Sequence, residues 1–206
     1  SFDGDNFAIS TASANQFSPA IARSPSTGQF LVVWKDGRQS AESGWNIYGQ
    51  RLLADANLAG NNFATRTAAG DQEDPAIAVS QSPDLYFVAW KDRRTGAYDV
   101  YGQRVAWTGS LLWYEFAISA QPDDQMFPAV AYNPDDDQYL AVWQDDDEIR
   151  AQRLSAEGQP LEEPWALETN GVNWFPDVAY NSQHNEYLVV WSDIRDNGFI
   201  EGCRVS

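Results

Sequence analysis

A fourfold internal repeat constrains the fold of this chain more than any other feature, because a repeated structural unit fixes the architecture before local structure is considered. Trp-x-Asp recurs in the runs WKDGR, WKDRR, WQDDD and WSDIR, which begin at Trp34, Trp90, Trp143 and Trp191. A proline stands fifteen residues before each tryptophan, and an apolar-x-x-x-Arg run follows it, as IYGQR, VYGQR, IRAQR and IEGCR. Three markers in one order, four times over, indicate four copies of one unit.

Each unit is predicted to contain four short strands separated by turn residues. Runs at the prolines, such as PAIAR at 19–23, are typical of first strands. Runs that end at the tryptophans, such as QFLVVW at 29–34, are apolar on both faces, which predicts a second strand buried on both sides. The IYGQR-type run is a third strand. A fourth is predicted at NFATR (62–66), EFAIS (115–119) and PWALE (164–168).

Four-stranded units of about 50 residues are typical of β-propeller blades. We therefore predict an all-β fold, a four-bladed β-propeller with four antiparallel strands per blade, formed as a single domain over 1–206. The predicted blades span about 17–66, 73–119, 126–168 and 174–206.

The N-terminal run NFAIS (6–10) resembles the fourth-strand runs. Phe7 lies 12 residues before Pro19, as Phe63 lies 12 residues before Pro75. The segment is therefore predicted to complete the last blade and close the ring, which removes an open sheet edge.

The pattern VVWxDxR followed by IYGQR, present at 32–38 and 47–51, resembles the repeats of secreted bacterial β-propeller proteins, and the resemblance covers essentially the whole chain. It implies the propeller fold and an extracellular or cell-surface location. It implies no particular activity, because one fold hosts many functions.

Charge and composition narrow the classes of partner. Asp and Glu number 30 against 13 Lys and Arg, a formal net charge of −17, which argues against nucleic acid and against anionic membranes as partners. An acidic surface suits a basic protein partner instead. One cysteine, Cys203, and one histidine, His184, exclude an intrachain disulfide and a Cys/His zinc cluster. We expect a monomer.

The repeated polar residues are expected to serve the scaffold. Each tryptophan is predicted to fill the wedge between neighbouring blades, and the aspartate two residues on to cap turn amides or to pair with the arginine that ends the third strand. An amide three residues before each proline is predicted to pin the loop into the first strand, with a ring of ligand-binding amides as the alternative. These amides are Gln16, Gln72, Gln125 and Asn173.

Function is expected where the four copies differ. In a propeller, one rim carries the loops into the first strands, here 11–18, 67–74, 119–127 and 168–175, and the loops between second and third strands, here 36–46, 92–99, 144–148 and 192–199. The divergent residues of this rim are Phe17, Trp45, Glu73, Asp74, Tyr98, Phe127 and Trp174. Aromatic side chains beside acids suit sugar rings, and the alternative is that they only pack the rim.

A further departure is Asp177, which stands where the other copies have Ala20, Ala76 and Ala129. If this position faces the channel, the carboxylate can bind a cation or water or act as an acid; a plain solvated position is the alternative. The acidic runs PDDQ (122–125), PDDDQ (134–138) and DDDE (145–148) make calcium a candidate ligand, although none has the spacing of a helix-loop-helix calcium site. No cofactor is required.

Three functions follow from these residues. The leading hypothesis is a non-catalytic module that binds a glycan or another small polar ligand at the variable rim. The first alternative is a glycoside hydrolase or polysaccharide lyase that uses Glu73, Asp74 and Asp177 as acids and bases. The second is a structural or protein-interaction propeller. No GxSxG nucleophile motif is present, and His184 falls in a turn on the opposite rim.

Overall fold

The computed structural model describes residues 5–81, 84–195 and 198–206. Three parts of the predicted domain lie outside the described residues: 1–4, 82–83 and 196–197. Residues 196–197 belong to the predicted rim loop 192–199. The strands are β1 Gln16–Arg23, β2 Phe30–Asp36, β3 Asn46–Leu52, β4 Leu58–Arg66, β5 Gln72–Val79, β6 Leu85–Asp92, β7 Asp99–Ala106, β8 Leu111–Ser119, β9 Gln125–Asn133, β10 Gln138–Asp145, β11 Glu148–Ser155, β12 Trp165–Glu168, β13 Asn173–Asn181, β14 Glu186–Asp193 and β15 Phe199–Val205. A one-turn helix, α1 Ser40–Ser43, lies between β2 and β3.

The strands form four antiparallel sheets in chain order. Sheets one, two and three have four strands each, β1–β4, β5–β8 and β9–β12, and sheet four has three, β13–β15. Within each sheet, every strand pairs with the next one along the chain. The all-β prediction and the predicted strand order within each unit are confirmed. Over the described residues, no helix is long and apolar enough to cross a membrane.

The core lies between successive sheets, and three of the four repeated tryptophans face the preceding sheet there. Trp90 packs with Leu31 and Ile47 between sheets one and two. Trp143 packs with Phe87 between sheets two and three, and Trp191 with Leu140 and Val142 between sheets three and four. The predicted wedge role is confirmed for these three tryptophans.

Trp34 differs, because among the described residues sheet one is the first of the four sheets. It packs with Val32, Tyr48 and Leu52 on the outer side of that sheet, under Ile9. Within the described residues, no buried apolar cluster joins sheet four to sheet one. The wedge prediction is therefore wrong for Trp34.

The predicted closure of the ring by residues 6–10 is also wrong. Sheet four has three strands, and residues 6–10 form no strand. The segment lies against sheet one instead, where the Ile9 carbonyl accepts a hydrogen bond from Asn62 Nδ2 at 3.3 Å. The physical reason is that sheet four leaves the outer face of sheet one uncovered, and Ile9 covers part of that apolar face.

In three of the four repeats, at Asp36, Asp92 and Asp193, the aspartate of Trp-x-Asp caps the turn after the second strand, as predicted. The Arg38 amide donates to Asp36 Oδ1 at 2.9 Å, and Trp34 Nε1 donates to Asp36 Oδ2 at 2.8 Å. Its ion-pair partner is Arg38 at 2.6 Å and not Arg51. The register explains the difference: Arg51 lies opposite Leu31, five residues or about 17 Å along the strand from Asp36.

Candidate functional site

Each first strand carries an irregularity at the residue before its proline. These four residues have positive φ values, 51° at Ser18, 50° at Asp74, 50° at Phe127 and 56° at Phe175. The pairing of each first strand with the second shifts register at this point. A left-handed backbone at a residue other than glycine costs on the order of 1–3 kcal/mol and clusters at functional sites. The bulge re-aims the side chain, and all four line one cavity.

This central cavity has a volume of about 530 Å³ and is walled by the first strands of all four sheets. Behind the four prolines it is lined by Ala20, Ala76, Ala129 and Asp177. Asp177 thus lies beside the three alanines, and its side chain is exposed there. The volume lies in the range of small-molecule sites.

Carboxylates and the two lysines of the chain form one network at the mouth. Lys91 Nζ lies 2.8 Å from Asp74 and 3.3 Å from Glu73, which also pairs with Lys35. Burial alone would raise the pKa of Glu73, but the hydrogen bond from Lys35 and the charges of Lys91 and Lys35 outweigh it, so the pKa lies below its usual value. Glu73 is consequently an anion that holds both lysines in place.

Tyr98 belongs to the same network. Its hydroxyl donates to Glu73 Oε2 at 3.1 Å, and Lys91 Nζ lies 4.8 Å from the ring centroid. Burial, together with the charge of Glu73, raises the pKa of Tyr98 to about 12. The phenol therefore keeps its proton at neutral pH.

Aromatic side chains lie on both sides of the lysines. Phe127 packs on Phe175 at 4.4 Å between ring centroids, and Trp174 meets Phe175 edge-on at 5.8 Å. Lys91 Nζ lies 5.3 Å from the Phe127 ring. Trp174 and Phe175 remain 37% and 52% exposed, which leaves ring surface free for a ligand.

The second aromatic pair lies beside Lys35. Phe17 and Trp45 are 5.8 Å apart, and Lys35 Nζ lies 4.5 Å from the Trp45 ring. Phe17 also borders a smaller hollow of about 250 Å³ on the outer side of sheet one, next to Trp34. Through the two lysines, the structure connects all the predicted site residues except Asp177, which lies in the cavity itself.

The sequence hypothesis omitted four residues of this site, Ser18, Lys35, Lys91 and Phe175. Ser18 and Phe175 occupy the same position before the proline as Asp74 and Phe127, so the repeat alignment could have found them. Both lysines directly follow the repeated tryptophan, and the chain has no other lysine. The occurrence of lysine at these two repeat positions alone was a signal in the sequence that could have identified both residues.

The repeated amides pin loops, as predicted. Gln16 Nε2 donates to the carbonyls of Ala12 and Ala14, both at 2.9 Å. Gln72 Nε2 donates to Gly70 at 2.7 Å, and Asn173 Nδ2 donates to Asn170 at 3.0 Å. These side chains hold the loops that lead to the mouth.

The acidic runs show no metal geometry. Across 5–81, 84–195 and 198–206, no group of three or more His, Cys, Asp or Glu side chains is arranged to hold a metal ion. In the run 134–138, Asp135 accepts a hydrogen bond from Tyr180 at 2.6 Å, and Asp136 accepts one from Asn185 Nδ2 at 3.2 Å. These carboxylates connect turns of sheets three and four. Calcium stays an expectation from sequence.

Comparison with known proteins gives a fold. No family model matches the chain, and no curated protein sequence matches it. Among solved structures, the α-L-arabinofuranosidase Arb93A of Fusarium graminearum matches with a TM-score of 0.66 at 12% identity, over 92% of this chain and 57% of that one. An endo-arabinase of Bacteroides thetaiotaomicron matches with 0.57 at 10%, over 91% and 73%. An exo-β-1,3-galactanase of Phanerochaete chrysosporium matches with 0.65 at 10%, over 90% and 46%.

These matches establish a β-propeller fold with four blade-like sheets. The chain spans little more than half the length of the arabinofuranosidase. The matches also correct the leading functional hypothesis, because these three proteins are glycoside hydrolases and not non-catalytic binding modules. The same finding corrects the expectation that the chain is more likely not an enzyme. The functional hypothesis failed because repeat spacing predicts only strands and turns. Catalysis depends on how carboxylates of different sheets are placed relative to one another, which repeat spacing does not specify.

Proposed function

We propose that this protein is a glycoside hydrolase whose substrate binds in the central cavity, with Asp74 and Asp177 as the reacting carboxylates. The observation that carries the proposal is their placement. Both line the same cavity, one on sheet two and one on sheet four, and sheet three between them contributes Phe127. Each is the one carboxylate among the four residues at its repeat position.

Glycoside hydrolysis requires such a pair. One carboxyl group protonates the leaving oxygen, and the other acts as a base toward water or as a nucleophile at the sugar carbon. Lys91, 2.8 Å from Asp74, stabilises a negative charge there, which suits the base or nucleophile. Asp177 has no ion-pair partner among the described residues and is assigned the proton donor; its Oδ1 accepts the Val178 amide at 2.8 Å, which orients the carboxyl group.

Glu73 is assigned a positioning role. It pairs with both lysines and accepts the Tyr98 hydroxyl, so its oxygens are already engaged. By holding Lys91, it fixes the charge beside Asp74. Of the three acids expected from the sequence, Asp74 and Asp177 are therefore assigned as reacting groups, and Glu73 positions Lys91.

The aromatic side chains define the substrate class. Trp174 and Phe175 expose ring surface at the mouth, and sugar rings stack their C–H faces on such surfaces while their hydroxyls meet acids and amides. Several of the similar structures are enzymes of arabinose- or galactose-containing glycans, some of them bound to arabinobiose or β-1,3-galactotriose. Oligosaccharides of these two classes are the first substrates to test. An extracellular location fits a polymeric glycan substrate.

The test is release of reducing sugar from arabinan and β-1,3-galactan oligosaccharides, measured by anion-exchange chromatography. Asp74→Asn and Asp177→Asn are each expected to lower kcat by about 10²- to 10⁴-fold, the usual contribution of a general acid or base. The melting temperature of Asp177→Asn is expected to stay unchanged because the residue is exposed. Asp55→Asn, in an exposed turn before β4, is the matched control and is expected to keep full activity.

Binding is tested separately with Trp174→Ala. Loss of a stacking aromatic is expected to weaken oligosaccharide binding by about 1–3 kcal/mol, seen as a higher KM with little change in kcat. Wild-type protein that binds these oligosaccharides without cleaving any of them would contradict the proposal. So would Asp177→Asn protein with wild-type kcat.

A further inference from the structure

The outermost strand of sheet two, β8, carries two adjacent aromatic side chains that are almost fully exposed. Trp113 is 81% exposed and Tyr114 is 90% exposed. Among the described residues, neither ring contacts another aromatic ring or a cation. Trp107 and Leu111 of the same hairpin are also exposed, so the rings belong to an apolar patch, and such patches are typical of binding sites.

The backbone at Trp113 adopts a conformation that suits glycine. The pairing of β8 with β7 is interrupted after Leu112 and resumes at Phe116, so residues 113–115 form a bulge. Trp113 has a φ of 63°, and Gly60, which takes its place in the equivalent bulge of sheet one, has a φ of 76°. Glycine reaches this region without steric cost, whereas tryptophan does not. Strain of this kind at a bulky residue is typical of functional positions.

The repeat shows that the scaffold does not require aromatic side chains in this bulge. Three of the sheets have a fourth strand, and each of these strands places an aromatic residue opposite the centre of the third strand, at Phe63, Phe116 and Trp165. The residues three and two positions before it differ in the three sheets. They are Gly60 and Asn61 in sheet one, Trp113 and Tyr114 in sheet two, and Glu162 and Glu163 in sheet three.

The composition of the hairpin indicates an uncharged ligand. Residues 105–114 contain no charged side chain, although 21% of the whole chain is charged. The equivalent segment 52–61 contains an aspartate, and 154–163 contains three glutamates. The hairpin instead exposes the hydroxyl groups of Thr108 and Ser110. Flat rings beside hydroxyl groups suit a sugar, whose C–H face stacks on an aromatic ring while its own hydroxyls form hydrogen bonds.

Contacts with both neighbouring sheets hold the bulge in place. Glu115, its third residue, pairs with Arg66 of sheet one at 2.9 Å and with Arg94 at 3.0 Å, so its charge is neutralised. Gly109 of the hairpin turn lies against sheet one, where a Cβ would come within 2.8 Å of Arg51 Cδ. Because the rings stand on a fixed hairpin, binding requires little ordering of the protein.

The surroundings favour a narrow ligand over a protein or a membrane. Gly158 packs on Phe116, which places the β11–β12 hairpin of sheet three, with its three glutamates, beside the bulge. A protein partner buries about 800 Å² on each side and would cover these carboxylates, which is costly without compensating charges. A chain one sugar wide can cover the two rings and leave the glutamates in water.

The bulge is separate from the central cavity. It lies beside Gln103, which is level with Val88 and with Ile77, three residues or about 10 Å along β5 from Asp74. β5 and β8 are the innermost and outermost strands of sheet two, three strand spacings or about 14 Å apart. The rings are therefore roughly 17 Å from Asp74, a span that a polysaccharide can bridge and a disaccharide cannot.

We propose that Trp113 and Tyr114 form a second glycan-binding site, which stacks the sugar rings of an uncharged polysaccharide on the outer edge of sheet two. Its occupant is the polymer whose bonds are cleaved in the central cavity, and this identity rests on the proposed function. The site holds the polymer on the protein while a different part of the same chain enters the cavity. Short oligosaccharides gain nothing from it.

Affinity electrophoresis in native gels that contain arabinan or β-1,3-galactan tests the site. All proteins carry Asp177→Asn, so that the polymer stays intact during the run. The parent is expected to be retarded by one of the two polymers. Trp113→Gly should raise the Kd obtained from the retardation at least about tenfold, and Tyr114→Ala at least about threefold, the scale of a lost stacking ring. Leu161→Ala removes an exposed side chain from the equivalent hairpin of sheet three and should leave the Kd unchanged.

The melting temperature separates binding from a structural role. Because Gly60 occupies the position of Trp113 in sheet one, Trp113→Gly should melt at or above the temperature of the parent. Tyr114→Ala keeps the test independent of the strained backbone. A parent that neither polymer retards overturns the proposal, as do variants that are retarded like the parent. Co-sedimentation of the parent with phosphatidylcholine vesicles that is lost in Trp113→Gly, without retardation by either glycan, also overturns it and indicates a membrane contact.

Failure of this proposal is distinguishable from failure of the proposed function. Reducing-sugar release by protein with Asp177 intact reports cleavage, whereas retardation of the Asp177→Asn series reports binding at the bulge. Cleavage together with retardation that does not depend on Trp113 removes the second site alone. Retardation that depends on Trp113, without cleavage of either polymer, removes the hydrolase and leaves the binding site. If both hold, Trp113→Gly should raise the ratio of the KM for the polymer to the KM for its trisaccharide, and Leu161→Ala should not.

Discussion

The repeated tryptophans allow one contribution to stability, the indole hydrogen bond, to be separated from packing. Trp90 and Trp143 occupy the same repeat position and are both 0% exposed. Trp90 Nε1 donates to Asp92 Oδ2 at 2.9 Å, whereas Trp143 Nε1 is buried and has no hydrogen-bond partner within the described part of the chain. The difference arises because Asp145 turns to Arg150, 2.9 Å away. Replacement by phenylalanine at each position therefore removes similar volume but a different polar interaction.

The expected magnitudes follow from these contacts. Trp90→Phe removes a hydrogen bond to a buried carboxylate, worth about 1.5–3 kcal/mol. Trp143→Phe removes a buried donor without a partner, whose desolvation costs about 1–3 kcal/mol, so the substitution recovers part of the packing loss. Because the two effects add in the comparison, we expect Trp90→Phe to lower the free energy of unfolding by about 2.5–6 kcal/mol more than Trp143→Phe.

Urea denaturation followed by far-UV circular dichroism measures the two free energies without relying on tryptophan fluorescence. Equal m values for the two variants would show that the comparison concerns stability alone. If both variants lose the same free energy of unfolding, the hydrogen bond to Asp92 does not distinguish the two sites and the reasoning fails. A larger loss for Trp143→Phe would refute it more strongly.

Two further predictions concern the rim and the core. The fold lowers the pKa of Glu73, so the ionised carboxylate stabilises the protein at pH values above the usual pKa of 4.5, and this stabilisation is lost as the pH falls through the lower pKa of the folded state. The melting temperatures of Glu73→Gln and wild-type protein should therefore differ at neutral pH and converge in acid. Gly102→Ala would place a Cβ 2.7 Å from the Phe87 ring and should cost about 1–3 kcal/mol in chemical denaturation. Phe87→Leu in the same chain should restore part of that loss, because sheet three combines Leu140 with Ala151 at these positions, and an unrelieved loss would argue against the clash.

Much of the candidate site was predictable because departures from a repeat are visible in a sequence. The alignment identified Asp74, Phe127 and Asp177 as divergent residues next to a proline, and the structure places all three on the central cavity. It did not indicate that Lys91 joins Asp74 to Glu73, because the lysine comes from a second strand and the acids from a first strand. Such contacts depend on strand register, which the repeat alone does not specify.

Local sequence patterns specify the strands, their order and the repeated Trp-x-Asp turns, because these features depend on apolar, turn and capping residues within each unit of about 50 residues. How the units meet depends on packing between them. Residues 6–10 have the pattern of a fourth strand, yet they lie on sheet one, and sheet four ends at β15. The composition of a strand specifies that it pairs with another strand, but it does not specify which sheet provides that strand. Ring closure depends on the angle between successive sheets. Side chains packed across three separate interfaces set that angle.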